Sequence, residues 1–349
     1  MPDKPLRTTQ SPTQPPTPTL STSEEQQLRH YLQATLSDNT RKTYRSALLQ
    51  FERAGGRLPC DRDSLVRYIL VKAGELSTRS LDLHITAIRQ WHQQQGLADP
   101  AADPMVQRTL EGVRRVHGRP PRKARALTLK QLGELLAAAN AQEHPLRALR
   151  DRALLLIAFM GAFRRSELVA IRVEDIQFEA DGMLIHLPRS KTDQDGQGLV
   201  RAIPAGSGSV CPAIALKEWL NATNIESGAV FRAMNRWGQL SEKPLNAASI
   251  NELLKKLASS AGLENVPEFS SHSFRRGMST AAARAGVSFE LIRKQGGWRH
   301  DGTVRGYIEE GQQLQDNAAH TLLEEMQRLT NPRTTSTTDA NHSGRHRDD

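Results

Sequence analysis

Two adjacent prolines, Pro120-Pro121, sit inside a run of six cations (Arg114, Arg115, Arg119, Arg122, Lys123 and Arg125) that contains no acidic residue. The prolines stop any helix, and the like charges repel one another unless something anionic lies beneath them. This stretch therefore reads as a basic linker that divides the chain. A length of 349 residues suits such a division, since domains usually run to roughly 100–200 residues.

On the N-terminal side the apolar pattern has only the helical period. Ser21 and Glu24 have capping-box spacing, Thr40 opens a helix with Tyr44, Leu48 and Phe51 on one face, and Leu81, Ile85 and Ile88 repeat the pattern. Asp103 before Pro104 reads as an N-cap followed by a first-turn proline. Four or five helices fit in residues 21–116.

Beyond the linker the pattern is mixed. Leu149–Met160 is apolar enough for a buried helix that turns at Gly161. Met183–Leu187 and Leu199–Ile203 read as strands flanking a polar loop, Asp193–Gly198. Ile250, Leu253, Leu254 and Leu257 mark a further helix, and breaks are expected at Gly286 and Gly296-Gly297. After Tyr307 a polar stretch, Glu309–Asn317, precedes a last helix with an apolar stripe of Leu322, Met326 and Leu329, Leu323 alongside.

The expected fold is mainly α with a small antiparallel sheet. Its parts are a disordered tail (1–20), a helical domain (21–116), the linker (117–126), an α+β domain (127–330) and a second disordered tail (331–349). Both tails are too poor in apolar residues to offset the entropy of ordering.

Charge and composition narrow the function. The formal net charge is +9, which favours an anionic partner, nucleic acid first. Cys60 and Cys211 are the only cysteines, too few for a disulfide framework or a thiolate zinc site, so a reducing, cytoplasmic compartment is expected. The longest apolar run, Ala153–Gly161, falls well short of the ~20 residues of a membrane span. The first residues lack the basic-then-apolar pattern of a secretory signal, so export is not expected. A phosphate-binding Walker loop, a His-Glu-x-x-His, a Gly-x-Ser-x-Gly and a two-metal carboxylate cluster are all missing, so neither nucleotide nor metal is indicated.

A different set of side chains stands at segment ends: Arg164, Lys191, His272 with Arg275, Trp298 and Tyr307. Singly, each has an ordinary structural role. In order and spacing, Gly161-Ala-Phe-Arg-Arg-Ser-Glu-Leu168, Arg189-Ser-Lys-Thr192, Ser271-His-Ser-Phe-Arg-Arg-Gly277, Gly296-Gly-Trp298 and Gly306-Tyr-Ile308 together resemble the tyrosine recombinase (phage integrase) family. The Cre branch is closest in look, with Trp298 nine residues before Tyr307 where other members carry a second histidine. The resemblance covers roughly residues 25–325.

That resemblance implies a helical, SAM-like core-DNA-binding domain followed by a catalytic domain. Tyr307 would be the nucleophile, giving a 3′-phosphotyrosyl link. Arg164 and Arg275 would clamp the phosphate oxygens, and Lys191 would protonate the leaving 5′-oxygen. His272 would assist proton transfer, Trp298 would position the phosphate, and Glu167 would orient its neighbours. The Arg-x-x-Glu and His-x-x-Arg registers choose Arg164 over Arg165 and Arg275 over Arg276. The linker cations, with Arg41 and Lys42, are candidate DNA contacts. The implied partners are a specific duplex DNA site and three further copies of the chain, with no cofactor, nucleotide or membrane. Two other readings compete: a type IB topoisomerase-like or telomere-resolving strand transferase, and a DNA-binding regulator that kept the fold without the chemistry.

Overall fold

The computed structural model describes residues 21–120, 122–187, 198–312 and 318–330. Both expected tails, Lys191 with the rest of its Arg-Ser-Lys-Thr motif, and nearly all of the polar loop after it lie outside these residues. The chain divides into two compact units, with the division between Pro121 and Arg122.

The first unit is built from α1 (Thr22–Ala34), α2 (Asp38–Arg53), α3 (Arg62–Lys72), α4 (Thr78–Gln94) and α5 (Pro104–His117). Local chemistry sets their starts. Ser21 and Glu24 form the expected reciprocal cap, with the Ser21 N–H donating to the Glu24 carboxylate at 2.7 Å. Asp61, Ser77 and Asp103 accept from backbone N–H groups at the starts of α3, α4 and α5, and Pro104 occupies the first position of α5. The second helix begins earlier than its periodicity suggests: Ser37, not Thr40, is the cap, accepting from the Thr40 N–H at 3.2 Å.

Phe51, Leu65, Ile69, Leu81, Ile85, Ile88, Val106 and Leu110 close the core of this unit. Its buried polar groups are neutral and paired. Tyr68 Oη lies 2.6 Å from His84 Nδ1. His92 lies with Nδ1 2.9 Å from the Ile88 carbonyl while Nε2 accepts from the Cys60 N–H, which places its proton on Nδ1.

The second unit has α7 (Pro145–Met160) at its centre. Every residue from Ala153 to Phe159 is buried, because α6 (Leu129–Asn140), α9 (Pro212–Thr223) and α11 (His272–Arg284) pack around it. A three-stranded antiparallel meander, β1 (Ile176–Glu179), β2 (Gly182–Leu187) and β3 (Leu199–Pro204), runs in the order β1-β2-β3. In the β2–β3 pair His186 faces Val200 and Leu187 faces Leu199, so the expected strand pair forms within a residue of its expected ends. The pattern did not anticipate β1, nor the hairpin of β4 (Arg232–Met234) and β5 (Leu240–Pro244); these strands are short and largely half-exposed, which weakens any alternation.

The unit also holds α8 (Arg165–Ala170), α10 (Ser249–Ser260), α12 (Phe289–Gly296), α13 (Asp301–Gln312) and α14 (Ala318–Thr330). Gly297 caps α12 at φ +57°, in the left-handed region. The polar stretch expected after Tyr307 is not separate from it as far as it is described: Glu309–Gln312 is the last turn of α13 and itself packs on α11, with the Glu310 carboxylate held by Arg276 and the Gly311 carbonyl accepting from Arg284, while the remainder of the stretch lies outside the described residues. The described residues are thus mainly helical with two small antiparallel sheets. Among the described residues no helix is long and apolar enough to cross a membrane.

Candidate catalytic site

The site grows from the C-terminal end of α7. Gly161 closes that helix, Ala162 follows with φ +47°, and Arg164 becomes the N-cap of α8. A left-handed conformation at a residue with a Cβ costs about 1 kcal/mol and persists only where its surroundings hold it. Here the Ala162 carbonyl is held by the Arg275 guanidinium. Glu167 sits one turn into α8, 4 % exposed, and accepts from both the Arg164 N–H (2.9 Å) and the Arg164 guanidinium. Arg165, the alternative at this position, points to solvent. The two candidates are therefore told apart by burial as well as by register.

Arg275 comes from α11 and is 3 % exposed. Its second amino group donates to the Gly296 carbonyl at 3.0 Å, and its Cζ stands 4.5 Å above the Trp298 ring. Burial, then the charges of Arg164 and Arg201, push its pKa down to about 9, against the opposing pull of Glu167 and Tyr307. Trp298 meets the Tyr307 ring edge-on, with centroids 5.8 Å apart. Gly296 is required for this approach, because a Cβ there would overlap the Trp298 ring. His300, the other residue that could fill the histidine position, is exposed. His272, in the first turn of α11, is exposed at the same helix end from which Arg275 reaches inward.

Arg164, Glu167, Arg275, Trp298 and Tyr307 thus converge; His272 is adjacent in sequence, and Lys191 lies outside the described residues. Arg276 meets this cluster at the Tyr307 ring and makes its hydrogen bonds elsewhere. It is a buried brace that holds the Ala124 carbonyl and the Glu310 carboxylate, with its Cζ 5.9 Å from the Tyr307 ring centroid.

The linker cations require a correction. Arg114 and Arg115 belong to the last turns of α5 and are not uncompensated, because Asp82 and Glu111 hold them at 2.7 and 2.5 Å. The acids that pair them lie on α4 and earlier on α5, outside the window that appeared purely basic. Arg119, Arg122, Lys123 and Arg125 are exposed, as are Arg41 and Lys42 on α2.

Sequence reasoning missed Arg201 on β3. It is 1 % exposed, donates to the Lys294 carbonyl at 3.1 Å and to the Gly296 carbonyl at 2.7 Å, and has its pKa lowered to about 10 by burial. The one signal available was a charged residue at an inward position of an alternating strand.

Known proteins resemble this chain in sequence and in fold. The pattern of the phage integrase family matches residues 125–313. An "Integrase/recombinase xerD homolog" of Selenomonas ruminantium is 34% identical over 300 residues, covering 83% of this chain and 87% of that protein. "Recombinase cre" of Escherichia phage P1 is 24% identical, over 72% of this chain and 76% of its own. Among solved structures, the Tn1549 transposon integrase in complex with circular intermediate DNA superposes with a TM-score of 0.58 at 17% identity, covering 87% of this chain and 97% of that one. That likeness is one of fold.

Proposed function

The chain belongs to the phage integrase family, and from that premise we propose that it is a site-specific DNA recombinase that cuts and rejoins duplex DNA through a 3′-phosphotyrosyl link, without metal or ATP. The observation that carries this reading is the meeting of two guanidinium groups, one carboxylate, an indole and a phenol in one cluster. In the proposed reaction the Tyr307 oxygen bonds to phosphorus and the bond to the 5′-oxygen breaks. The phenol gives up its proton, with His272 assisting, and the 5′-oxygen gains one from Lys191. One phosphate ester replaces another, so the free 5′-hydroxyl can later reverse the step.

Guanidinium groups suit the charge that develops on the non-bridging oxygens, because each is a planar fork of donors. Arg164 and Arg275 bring two positive charges to a place where Glu167 supplies one negative charge, and burial first, then the Arg164 charge, lowers the Arg275 pKa. A bound phosphodiester would relieve it. Glu167 orients Arg164, and Trp298 contributes one indole N–H and a flat support for Arg275.

The assembly proposed is four copies on two DNA sites, each reaching its neighbour through α14. In support, Leu322, Leu323, Met326 and Leu329 of that helix are 60–72% exposed, an apolar face that its own unit leaves uncovered. This face favours a recombinase over a solitary strand-passing enzyme. The test begins by capturing fragments of a random DNA library that become covalently attached to the protein. A nicked substrate built on the captured site should then trap a 3′-phosphotyrosyl adduct in the presence of EDTA. Tyr307→Phe should bind the same DNA and form no adduct. Adduct formation by that variant, or loss of wild-type cleavage in EDTA, would overturn the mechanism.

A further inference from the structure

Two buried cations donate to one oxygen. The Gly296 carbonyl accepts from Arg201 at 2.7 Å and from Arg275 at 3.0 Å, so the donating nitrogens lie within about 6 Å of each other. Burying like charges at such a distance is unfavourable unless something compensates. Elsewhere in the same unit the compensation is ordinary: Arg150, 6 % exposed, has Asp151 at 2.8 Å. Among the described residues no carboxylate forms an ion pair with Arg201, the Glu167 charge acting on it only without contact, and its Nε has no hydrogen-bond partner. An apolar side chain would fill that place on β3 without the electrostatic cost. The charge therefore has some use other than stability.

What Arg201 holds indicates that use. Its two amino groups grip the carbonyls of Lys294 and Gly296, where α12 ends and the chain turns toward Trp298. Gly297 is shaped around it, since a Cβ there would stand 2.5 Å from an Arg201 amino nitrogen. Gln295, between the two gripped residues, donates to the carbonyls of Met160 at the end of α7 and Ala202 on β3. The turn is thus tied to the strand and to the helix end that precedes Arg164. Arg201 is 1 % exposed and has both amino groups on the Lys294 and Gly296 carbonyls.

We infer that Arg201 is a positioning residue for the transesterification: by fixing the Gly296 carbonyl it sets where Arg275 and Trp298 stand when DNA arrives. This rests on the proposed strand-transfer chemistry and adds to it a residue on a different element. Arg201 acts through Arg275, so its loss harms the neutralisation of a non-bridging oxygen and leaves DNA affinity in place.

The test compares full-length wild type, Arg201→Met and Arg201→Lys on nicked substrates with either a normal phosphodiester or a neutral methylphosphonate at the scissile position. Binding of Arg201→Met should stay within about threefold of wild type, while its cleavage of the phosphodiester at saturating protein should fall by about 30-fold or more. On the methylphosphonate, which carries no charge for Arg275 to neutralise, the deficit should shrink to less than about fivefold. Arg201→Lys, with the charge and one donor retained, should fall between. Wild-type cleavage by Arg201→Met, or an equal loss on both substrates, would overturn the role, the second outcome marking a purely structural residue. If Arg201→Met does not fold, as judged by circular dichroism, Arg201→Lys and Gly297→Ala decide by the same ratio between substrates. Absence of any adduct with the wild type would instead remove the strand-transfer reading itself.

Discussion

The two units treat buried polarity in opposite ways. In the first, Tyr68, His84 and His92 are uncharged, matched to one another or to backbone groups, and enclosed by helices. In the second, Arg201 and Arg275 are cations wired to backbone carbonyls with less negative charge around them than positive, and α14 carries an apolar face that none of the described residues of its unit covers. The buried polar groups of the first unit close on one another or on backbone groups. On the proposed reading the second unit is left open twice, once for an anion and once for an apolar partner. A closed polar pair serves stability, whereas an uncompensated buried cluster is tolerable where a ligand completes it.

Closing one of those openings by deletion should have the largest effect. Truncation after Gln315 removes α14, and the protein should still fold and bind a single site yet give no synaptic complex and no recombinant product. Recombination of two sites at the full-length rate would show that α14 has no partner in the reaction.

Next come the cations of the cluster. Loss of one preorganised donor to a developing oxyanion costs on the order of 3 kcal/mol, or ~10²-fold in rate. Arg164→Ala and Arg275→Ala should lose at least that much in single-turnover cleavage, while exposed Arg165→Ala stays near wild type. Arg276→Ala should differ from all three. It removes a brace to Ala124 and Glu310, so its melting temperature should fall along with its activity. Equal loss at Arg164 and Arg165 would break the contrast between buried and exposed guanidinium groups.

The exposed cations should act on affinity alone. Neutralising Arg119, Arg122 and Lys123 together should flatten the log–log salt dependence of DNA binding by about 0.9 for each phosphate that is no longer neutralised, with site preference little changed. Neutralising Arg114 and Arg115 should flatten it less, since Asp82 and Glu111 already hold them. An unchanged slope in the triple variant would leave the segment a solvated tether.

The smallest effect tests the closed unit. Burial, with the Lys72 charge adding to it, lowers the His84 pKa below its ordinary value. The unfolded chain then binds a proton that the folded one resists, so stability is fully present above an unfolded pKa of about 6.5 and declines as pH falls through it toward the lower folded value. Thermal melts of the full chain between about pH 7.5 and 5, a window that spans that value, should show the decline, and His84→Gln should reduce it. An identical pH dependence in the variant would mean that the pair is not the protonation-resistant element.

Much of the helical framework was legible in the sequence because helix starts and stops are settled by residues within a turn of each other. The Ser21/Glu24 and Asp103-Pro104 caps, the break at Gly296-Gly297 and the pairing of β2 with β3 are of this kind. The ordered motifs also picked Arg164 and Arg275 from adjacent pairs, and burial at Arg164 and Arg165 separates that pair in the same sense. Tertiary structure alone decided the rest. Arg114 lost its apparent freedom to an aspartate 32 residues away. Arg201 reached the site through carbonyls 93 and 95 residues along the chain. Backbone carbonyls carry no side-chain signature, so a cation whose partners are carbonyls looks in sequence like any other charge. Only packing β3 against the end of α12 turns it into part of the site.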